Sequence, residues 1–312
     1  MGDRLYDVSI ILVNYKTSNL VFDVVKSIKE KSSGFSYEII VVDNSISEAE
    51  YNALAVLNSS NIHVIDAKDN LGFGKANNLG AKMAKGRYLY FLNTDTLLIN
   101  NAIYELIDYL DNHENVGVVG SNLYTKELKP NCSFNPYEKN VRSDKKGTSL
   151  FTLSKKYIFN KRIDFNYTDK PKKIDGYVIG ASLMIRKDIF DELGGFDKDI
   201  FMYAEESLLC YRVIHECHKE IYNVPSSKII HFECGSEKGT SLRHCQMSVD
   251  GNYVYYKKLF GDKNAIAYFE NQIRSAKRNK LIFKLMRKKE KVQQCDYEIE
   301  ACTNKIEEIK GN

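Results

Sequence analysis

The stretch "RYLYFLNTDTLLINN", residues 87–101, decides how this chain is read. Tyr88 to Leu92 is an unbroken apolar run and reads as a strand buried on both faces. It ends in Asn93-Thr94-Asp95, after which the chain turns apolar and helical again. A carboxylate at the end of a buried strand has two readings. Asp and Asn suit caps and turns, but strand ends in open α/β sheets are also where ligands bind. The rest of the chain chooses between them.

Short apolar runs alternate with helical patterns through the first 120 residues. "VSIILVNY" (8–15), "YEIIVVDNS" (37–45), "IHVIDA" (62–67) and "VGVVGSNLY" (116–124) read as further strands. Helices are predicted over 18–31, 48–58, 74–85 and 102–112; in the first, Leu20, Val21, Val24, Val25 and Ile28 fall at helical spacing. Alternation of this kind implies right-handed β-α-β units and a mostly parallel sheet. Parallel strands place their carboxyl ends on one edge, so Asn14-Tyr15, Asp43-Asn44-Ser45 and Asn93-Thr94-Asp95 converge. One strand-end Asp reads as a cap, whereas two with Asn and Ser neighbours favour a ligand site. The loop "DNLGFGKANN" (69–78) adds Gly72 and Gly74, which let backbone approach a ligand, and a helix N-terminus follows it. A dinucleotide fingerprint does not fit, because Asn77 holds the third glycine position and the loop follows the third strand.

Beyond this half, residues 125–174 are polar and irregular and read as loops and short helices. Structure resumes at 175–196 with a strand and a short helix closed by Gly194-Gly195. A helix is predicted over 204–217, two short strands over 220–232, and helix from about 240 to the end. The expected organisation is an α/β domain over 1–240 and a helical extension over 241–312.

The chain has 312 residues, 43% apolar and 28% charged, an ordinary globular balance. Lys+Arg 45 against Asp+Glu 41 leaves +4, so a general nucleic-acid binder is not expected. Seven scattered Cys without a Cys-x-x-Cys point to reduced thiols and a cytoplasmic setting. The first residues lack a signal-peptide pattern, and no run approaches the roughly 20 apolar residues of a membrane span. His215, Cys217, His218, Cys234, His244 and Cys245 match no zinc-finger spacing.

Taken together, "VSIILVNYKTS", "EIIVVDNSIS", "NLGFGKANNLGAK", "YLYFLNTDTLL", "GASLMIRKDIFDELGGFDKDIFMYAEESLLCYR" and "IIHFECGS" resemble a family 2 glycosyltransferase of the GT-A fold. The nearest branch is the bacterial rhamnosyltransferase-like one that builds surface polysaccharides, and the likeness runs over about residues 8–236. It implies a Rossmann-like, mostly parallel sheet flanked by helices. It implies that Asp43 hydrogen-bonds the donor's base, with Asn14 and Tyr15 lining that pocket and Asn70, Gly72, Gly74 and Asn77 lying over the nucleotide. Asn93-Thr94-Asp95 matches the D-x-D-type metal motif with only its last acid kept, so Asp95 is implied to ligate Mn²⁺ or Mg²⁺, joined by His231. A hard divalent cation held by carboxylate oxygen neutralises the charge of a departing nucleoside diphosphate. Inverting transfer also needs a carboxylate to deprotonate the acceptor hydroxyl. The family's acidic pair is here Glu205-Glu206, with Glu206 in the base position. The acid that usually follows two residues later is replaced by Leu208, which bears on the acceptor contacts.

The reaction so implied moves a sugar from dTDP-rhamnose or a UDP-hexose to a glycan or lipid-linked acceptor. The alternatives are a nucleotidyltransferase, for which "LVNYKTSN" supplies no basic Gly-rich triphosphate loop, and an inactive sugar-nucleotide-binding subunit. Residues 274–291 hold nine Lys/Arg and one Glu around Leu281, Ile282, Phe283, Leu285 and Met286. Such a helix either lies at an anionic membrane surface or covers the catalytic domain. Val292, Cys295, Ile299, Cys302, Ile306 and Ile309 recur at steps of three and four and read as a short seam, for a second subunit or another helix.

Overall fold

The structure is a computed structural model and describes residues 5–137, 167–233 and 241–311. Its strands are β1 (Tyr6–Asn14), β2 (Tyr37–Asp43), β3 (Ile62–Asp66), β4 (Gly86–Leu92), β5 (Thr96–Leu98), β6 (Val116–Tyr124), β7 (Phe134–Pro136), β8 (Lys172–Lys173), β9 (Gly176–Val178), β10 (Ser182–Arg186) and β11 (Glu220–His231). Its helices are α1 (Ser18–Lys31), α2 (Glu48–Ala55), α3 (Phe73–Met83), α4 (Ala102–Asp111), α5 (Lys187–Glu192), α6 (Glu205–His215), α7 (Leu242–Phe260), α8 (Asp262–Leu285) and α9 (Lys289–Gly311).

The main sheet runs β3-β2-β1-β4-β10-β6-β11-β5, with β8 on β11. Strands β3, β2, β1 and β4 are parallel neighbours, as the β-α-β alternation requires. Residues alternate between two cores. Ile10, Leu12, Ile39, Val41, Tyr88 and Tyr90 face one core with α1 and α4; Ile11, Ile40, Val42, Leu89 and Phe91 face the other with α3, α5 and α6. Each fully buried aliphatic or aromatic side chain there contributes about 1.5–3 kcal/mol. Burial on both faces explains why these strands are β-branched throughout rather than alternating with polar residues.

The structure departs from or adds to the local readings at three places. Residues 96–98 form a strand, not the start of a helix, because β5 pairs antiparallel with β11 through Thr96–His231 and Leu98–Ile229. Residues 220–231 form one strand rather than two; its register against β6 shifts between Val224 and Lys228, at Pro225, which cannot donate to the ladder. Strand β10 is antiparallel to both of its neighbours, β4 and β6. Of the irregular segment 125–174, residues 138–166 lie outside the described ones.

Contacts divide the described chain into two units: residues 5–137, 167–198 and 205–233, and residues 199–204 with 241–311. In the second unit α9 packs on α7 and α8. Cys295, Cys302 and Ile306 of the seam are buried there, Lys280 pairs with Asp296, and Lys305 reaches Asp250 at 2.8 Å. These seam positions therefore pack inside this chain, against its own helices. Gly251 of α7 has room for no side chain, since a Cβ would stand 2.2 Å from the Tyr203 carbonyl oxygen. Tyr203 and Ala204 both adopt positive φ, 70° and 75°, and the Tyr203 hydroxyl meets His244 Nδ1 at 3.1 Å.

Candidate active site

The register of β1 on β2 sets Asn14 beside Asp43, and that of β2 on β3 sets Asp43 beside Asp66. The carboxyl ends thus form one row, as the sequence implies. Asn14 is fully buried and works as a hub. Its Nδ2 donates to Asp43 Oδ1 (2.9 Å), Ser45 Oγ (3.1 Å) and Glu50 Oε2 (3.2 Å), and its Oδ1 accepts from the Thr17 N–H and Oγ1 (both 3.0 Å). Asp43 Oδ1 also accepts from Ser45 Oγ at 2.5 Å and the Ser45 N–H at 3.2 Å. All of these bonds fall on Oδ1, which fixes the carboxylate through that oxygen. Tyr15 is 46% exposed, with Lys16 Nζ 5.4 Å from its ring centroid.

The loop after β3 is tied to the end of β2 by Asn44. Its Nδ2 donates to Asn70 Oδ1 (3.0 Å), and its Oδ1 accepts from the Leu71 N–H (2.8 Å). Asn70 Oδ1 in turn accepts from the Gly72 N–H (3.2 Å). Gly72 has φ 76° and ψ −179°, a conformation open in practice only to glycine, and it caps α3. Gly74 differs from its sequence reading. Its bare Cα faces protein, since a Cβ there would lie 3.2 Å from both Glu205 Cγ and Phe196 Cβ. Asn77 is buried inside α3 and donates to the Phe73 carbonyl at 3.0 Å, so its side chain steadies the helix.

At the end of β4, Thr94 Oγ1 stands 3.4 Å from Thr17 Oγ1, and the Asn93 carbonyl accepts from Thr96 Oγ1 at 2.7 Å. The pairing of β5 with β11 brings His231 to Asp95: Nε2 lies 3.4 Å from Oδ1, and both side chains are largely buried. The Phe232 N–H donates to the Asp95 carbonyl at 2.9 Å and closes the join. Among the described residues no group of three or more His, Cys, Asp or Glu side chains is placed to hold a metal ion. One carboxylate and one imidazole suit a divalent cation that takes its remaining oxygens from phosphate and water, so this pair fits Mn²⁺ or Mg²⁺ in the presence of a diphosphate.

The acidic pair opens α6. Glu205 is buried, while Glu206 is partly exposed and packs on Gly180, from whose Cβ position its Cδ is 3.6 Å away. Burial pushes the Glu206 carboxyl above its ordinary range, opposed by hydrogen bonds to it from the Glu206 and Gly180 N–H groups. Leu208, at the position where an acid is usual, is buried. Cys234 lies outside the described residues. Two surface hollows of about 370 and 340 Å³ are lined by none of these residues.

The site holds several residues that sequence reasoning did not assign. Asn44 and Ser45 were legible only as polar neighbours of Asp43. Glu50 carried a signal, the capping-box pattern Ser47-x-x-Glu50. Ser47 Oγ does accept the Glu50 N–H (3.3 Å), but the Glu50 carboxylate reaches across to Asn14 and the Ser18 N–H (3.2 Å). Asn78 gave no signal; its amide bonds both ways to the Phe196 backbone, at 2.8 and 2.9 Å, and pins the segment after Gly195 to α3.

Four parallel strands, an antiparallel neighbour and an acid at the end of β4 define an α/β protein of the GT-A architecture. The chain belongs to glycosyl transferase family 2, whose model matches residues 9–194. It is similar to the low-salt glycan biosynthesis hexosyltransferase Agl10 of Haloferax volcanii, 29% identical over 216 residues, 68% of this chain and 63% of that protein. It is similar to the minor teichoic acid biosynthesis protein GgaB of Bacillus subtilis, 29% identical over 113 residues, 35% of this chain and only 13% of that protein. It is also similar to rhamnosyltransferase WbbL of Escherichia coli, 24% identical over 62% of this chain and 74% of that protein. Two solved structures share the fold. GalNAc-T7 with UDP, GalNAc and Mn²⁺ gives a TM-score of 0.58 at 14% identity, covering 88% of this chain and 51% of that one. The mannosyltransferase PcManGT from Pyrobaculum calidifontis, in complex with GDP-Man and Mn²⁺, gives 0.57 at 14% identity, covering 98% and 89%. Among the described residues no helix is long and apolar enough to cross a membrane.

Proposed function

We propose that this chain is an inverting, metal-dependent glycosyltransferase of polysaccharide synthesis, taking a sugar from dTDP-rhamnose or a UDP-hexose. The observation that carries the reading is the meeting of Asp95 and His231 at 3.4 Å on the same sheet edge as Asp43. Asp43, held through Oδ1, offers Oδ2 to the N3–H of a pyrimidine base, and the exposed Tyr15 ring supplies an apolar wall. Asn44 orders the loop from Asn70 to Gly72 over the nucleotide. Asp95 and His231 would hold Mn²⁺ or Mg²⁺ there. A bound cation supplies charge neutralisation at the departing diphosphate.

Glu206 is the base. Its carboxylate takes the proton of the acceptor hydroxyl as that oxygen attacks the anomeric carbon from the side opposite the diphosphate. The new C–O bond forms as the bond to phosphate breaks, the nucleoside diphosphate leaves, and the anomeric configuration inverts. A carboxyl with a raised pKa accepts that proton more readily than an ordinary one would. The acceptor is a glycan or lipid-linked saccharide at the cytoplasmic membrane face. Because Leu208 is buried, it presents no group to that acceptor.

The test is turnover of a panel of nucleotide sugars with Mn²⁺ or Mg²⁺ and saccharide acceptors, read as released nucleoside diphosphate and as product anomer. Release of dTDP or UDP with an inverted product supports the reading. Retention of configuration would overturn it, and so would tight binding with no turnover against any acceptor, which fits a donor-binding subunit instead.

A further inference from the structure

The α8–α9 hairpin carries a surface that the transfer chemistry does not use. Helix α8 has two faces. Ala276 and Phe283 are buried on one. Arg274, Lys277, Leu281 and Lys284, with Leu285 beside it, lie on the other and are exposed, as is Lys288 beyond the end of the helix. Leu281 is 66% and Leu285 84% exposed, one helical turn apart, among the most exposed large apolar side chains described. The turn that follows is hydrogen-bonded rather than loose: Arg287 adopts φ 54°, its N–H reaches the Lys284 carbonyl at 3.1 Å, and the Lys288 N–H reaches that of Phe283 at 2.9 Å. Exposed Arg287, Lys288, Lys289 and Lys291 therefore sit at one end of a stiff element, with Glu290 as the one acid in that stretch.

We infer that this hairpin tip docks on an anionic lipid bilayer, with Leu281 and Leu285 entering the headgroup–acyl boundary and the surrounding Lys and Arg meeting lipid phosphates. Paired exposed leucines within a cationic face are the pattern of helices that lie in a membrane interface. A nucleic-acid backbone would match the charge but offer no apolar partner to the leucines. A second copy of the chain would match the leucines, but an isologous contact would set like charges face to face. The inference adds to the transferase reading the surface on which a lipid-linked acceptor is met. Its test contains no sugar donor, so the failure of either leaves the other standing.

The full chain is sedimented with phosphatidylglycerol-rich vesicles and with pure phosphatidylcholine vesicles, at low and high salt. Wild type should pellet with the anionic vesicles, release at high salt, and stay in solution with phosphatidylcholine. Lys284→Gln, Arg287→Gln, Lys288→Gln and Lys289→Gln combined should lower partitioning by about 10²-fold or more. Leu281→Ser with Leu285→Ser should lower it by about tenfold or more for each leucine while keeping the salt response. All six positions are exposed, and unchanged circular-dichroism melts check the fold. Wild type that ignores anionic vesicles, or pellets equally with phosphatidylcholine, overturns the inference without any variant. So does pelleting by both variants at wild-type level. Salt-sensitive binding of duplex DNA without vesicle binding would assign the face to nucleic acid. A dimer by light scattering that the leucine variant breaks would assign it to a second copy.

Discussion

Glu206→Gln keeps the size and polarity of the side chain and removes its ability to accept a proton. A positioned general base is worth about 10²- to 10⁴-fold in rate. Glu206 packs on Gly180, and burial holds its carboxyl above the ordinary carboxylate range, which suits the proposed role of base. Turnover should fall by about 10²-fold or more, equivalent to about 2.7 kcal/mol of barrier. The donor KM should stay unchanged, because Asp43 and Asp95 are left intact. Wild-type kcat should decline as pH drops through the raised carboxyl pKa, and the variant should lose that limb. Stability supplies a sign check. A carboxyl whose pKa is higher folded than unfolded costs stability as pH rises from the unfolded value to the folded one, and the full cost persists above both. The variant should therefore melt no lower than wild type at neutral pH, with the difference closing below the unfolded pKa. Steady-state kinetics across pH, beside thermal melts, measure both. Near-wild-type turnover with an unchanged pH profile would refute the reasoning, and an inactive Glu205→Gln beside an active Glu206→Gln would move the base to Glu205.

Three other perturbations follow from the geometry. Asn44→Ala leaves the Leu71 N–H without its acceptor and removes one of the two donors to Asn70 Oδ1; it should cost about 1–3 kcal/mol by denaturant unfolding and raise the donor KM more than it lowers kcat. Gly72→Ala forces a side chain into a positive-φ conformation, so it should destabilise by about 1–3 kcal/mol and weaken donor binding by calorimetry. Gly251→Ala sets a methyl group 2.2 Å from the Tyr203 carbonyl oxygen, and the overpacking should cost about 1–3 kcal/mol by thermal melt, whereas alanine at the exposed Lys288 should change little.

The alternation of strands and helices was legible because both faces of this sheet are buried, which leaves continuous apolar runs at β1, β2, β4 and β6. Direction was not. Ser182–Arg186 looks as apolar as its neighbours, and only long-range pairing makes it antiparallel. The short strand at Thr96–Leu98 is no more legible, since its partner lies more than a hundred residues away. Asp43 and Asp95 could be found because acids at strand ends stand out locally. His231 came from resemblance alone, and its approach to Asp95 depends on the pairing of β5 with β11. Gly74 and Asn77 look like ligand-loop residues in sequence, yet they pack within the protein, because a helix that begins at Phe73 turns both inward. Nothing local marks the hold of Gly251 on the backbone of Tyr203, which only the folded helices create.

The metal-dependent capture of a nucleoside diphosphate is the central claim, and calorimetric titration of UDP and dTDP, with and without Mn²⁺, tests it most directly. Wild type should bind at least one of them, with affinity that rises on adding Mn²⁺ and falls in EDTA. Asp95→Ala should lose the Mn²⁺-dependent part and keep its fold by circular dichroism, and Asp43→Ala should lose affinity with or without metal. Equal binding with and without Mn²⁺ in wild type, or an Asp95→Ala protein that still responds to Mn²⁺ as wild type does, would contradict the account.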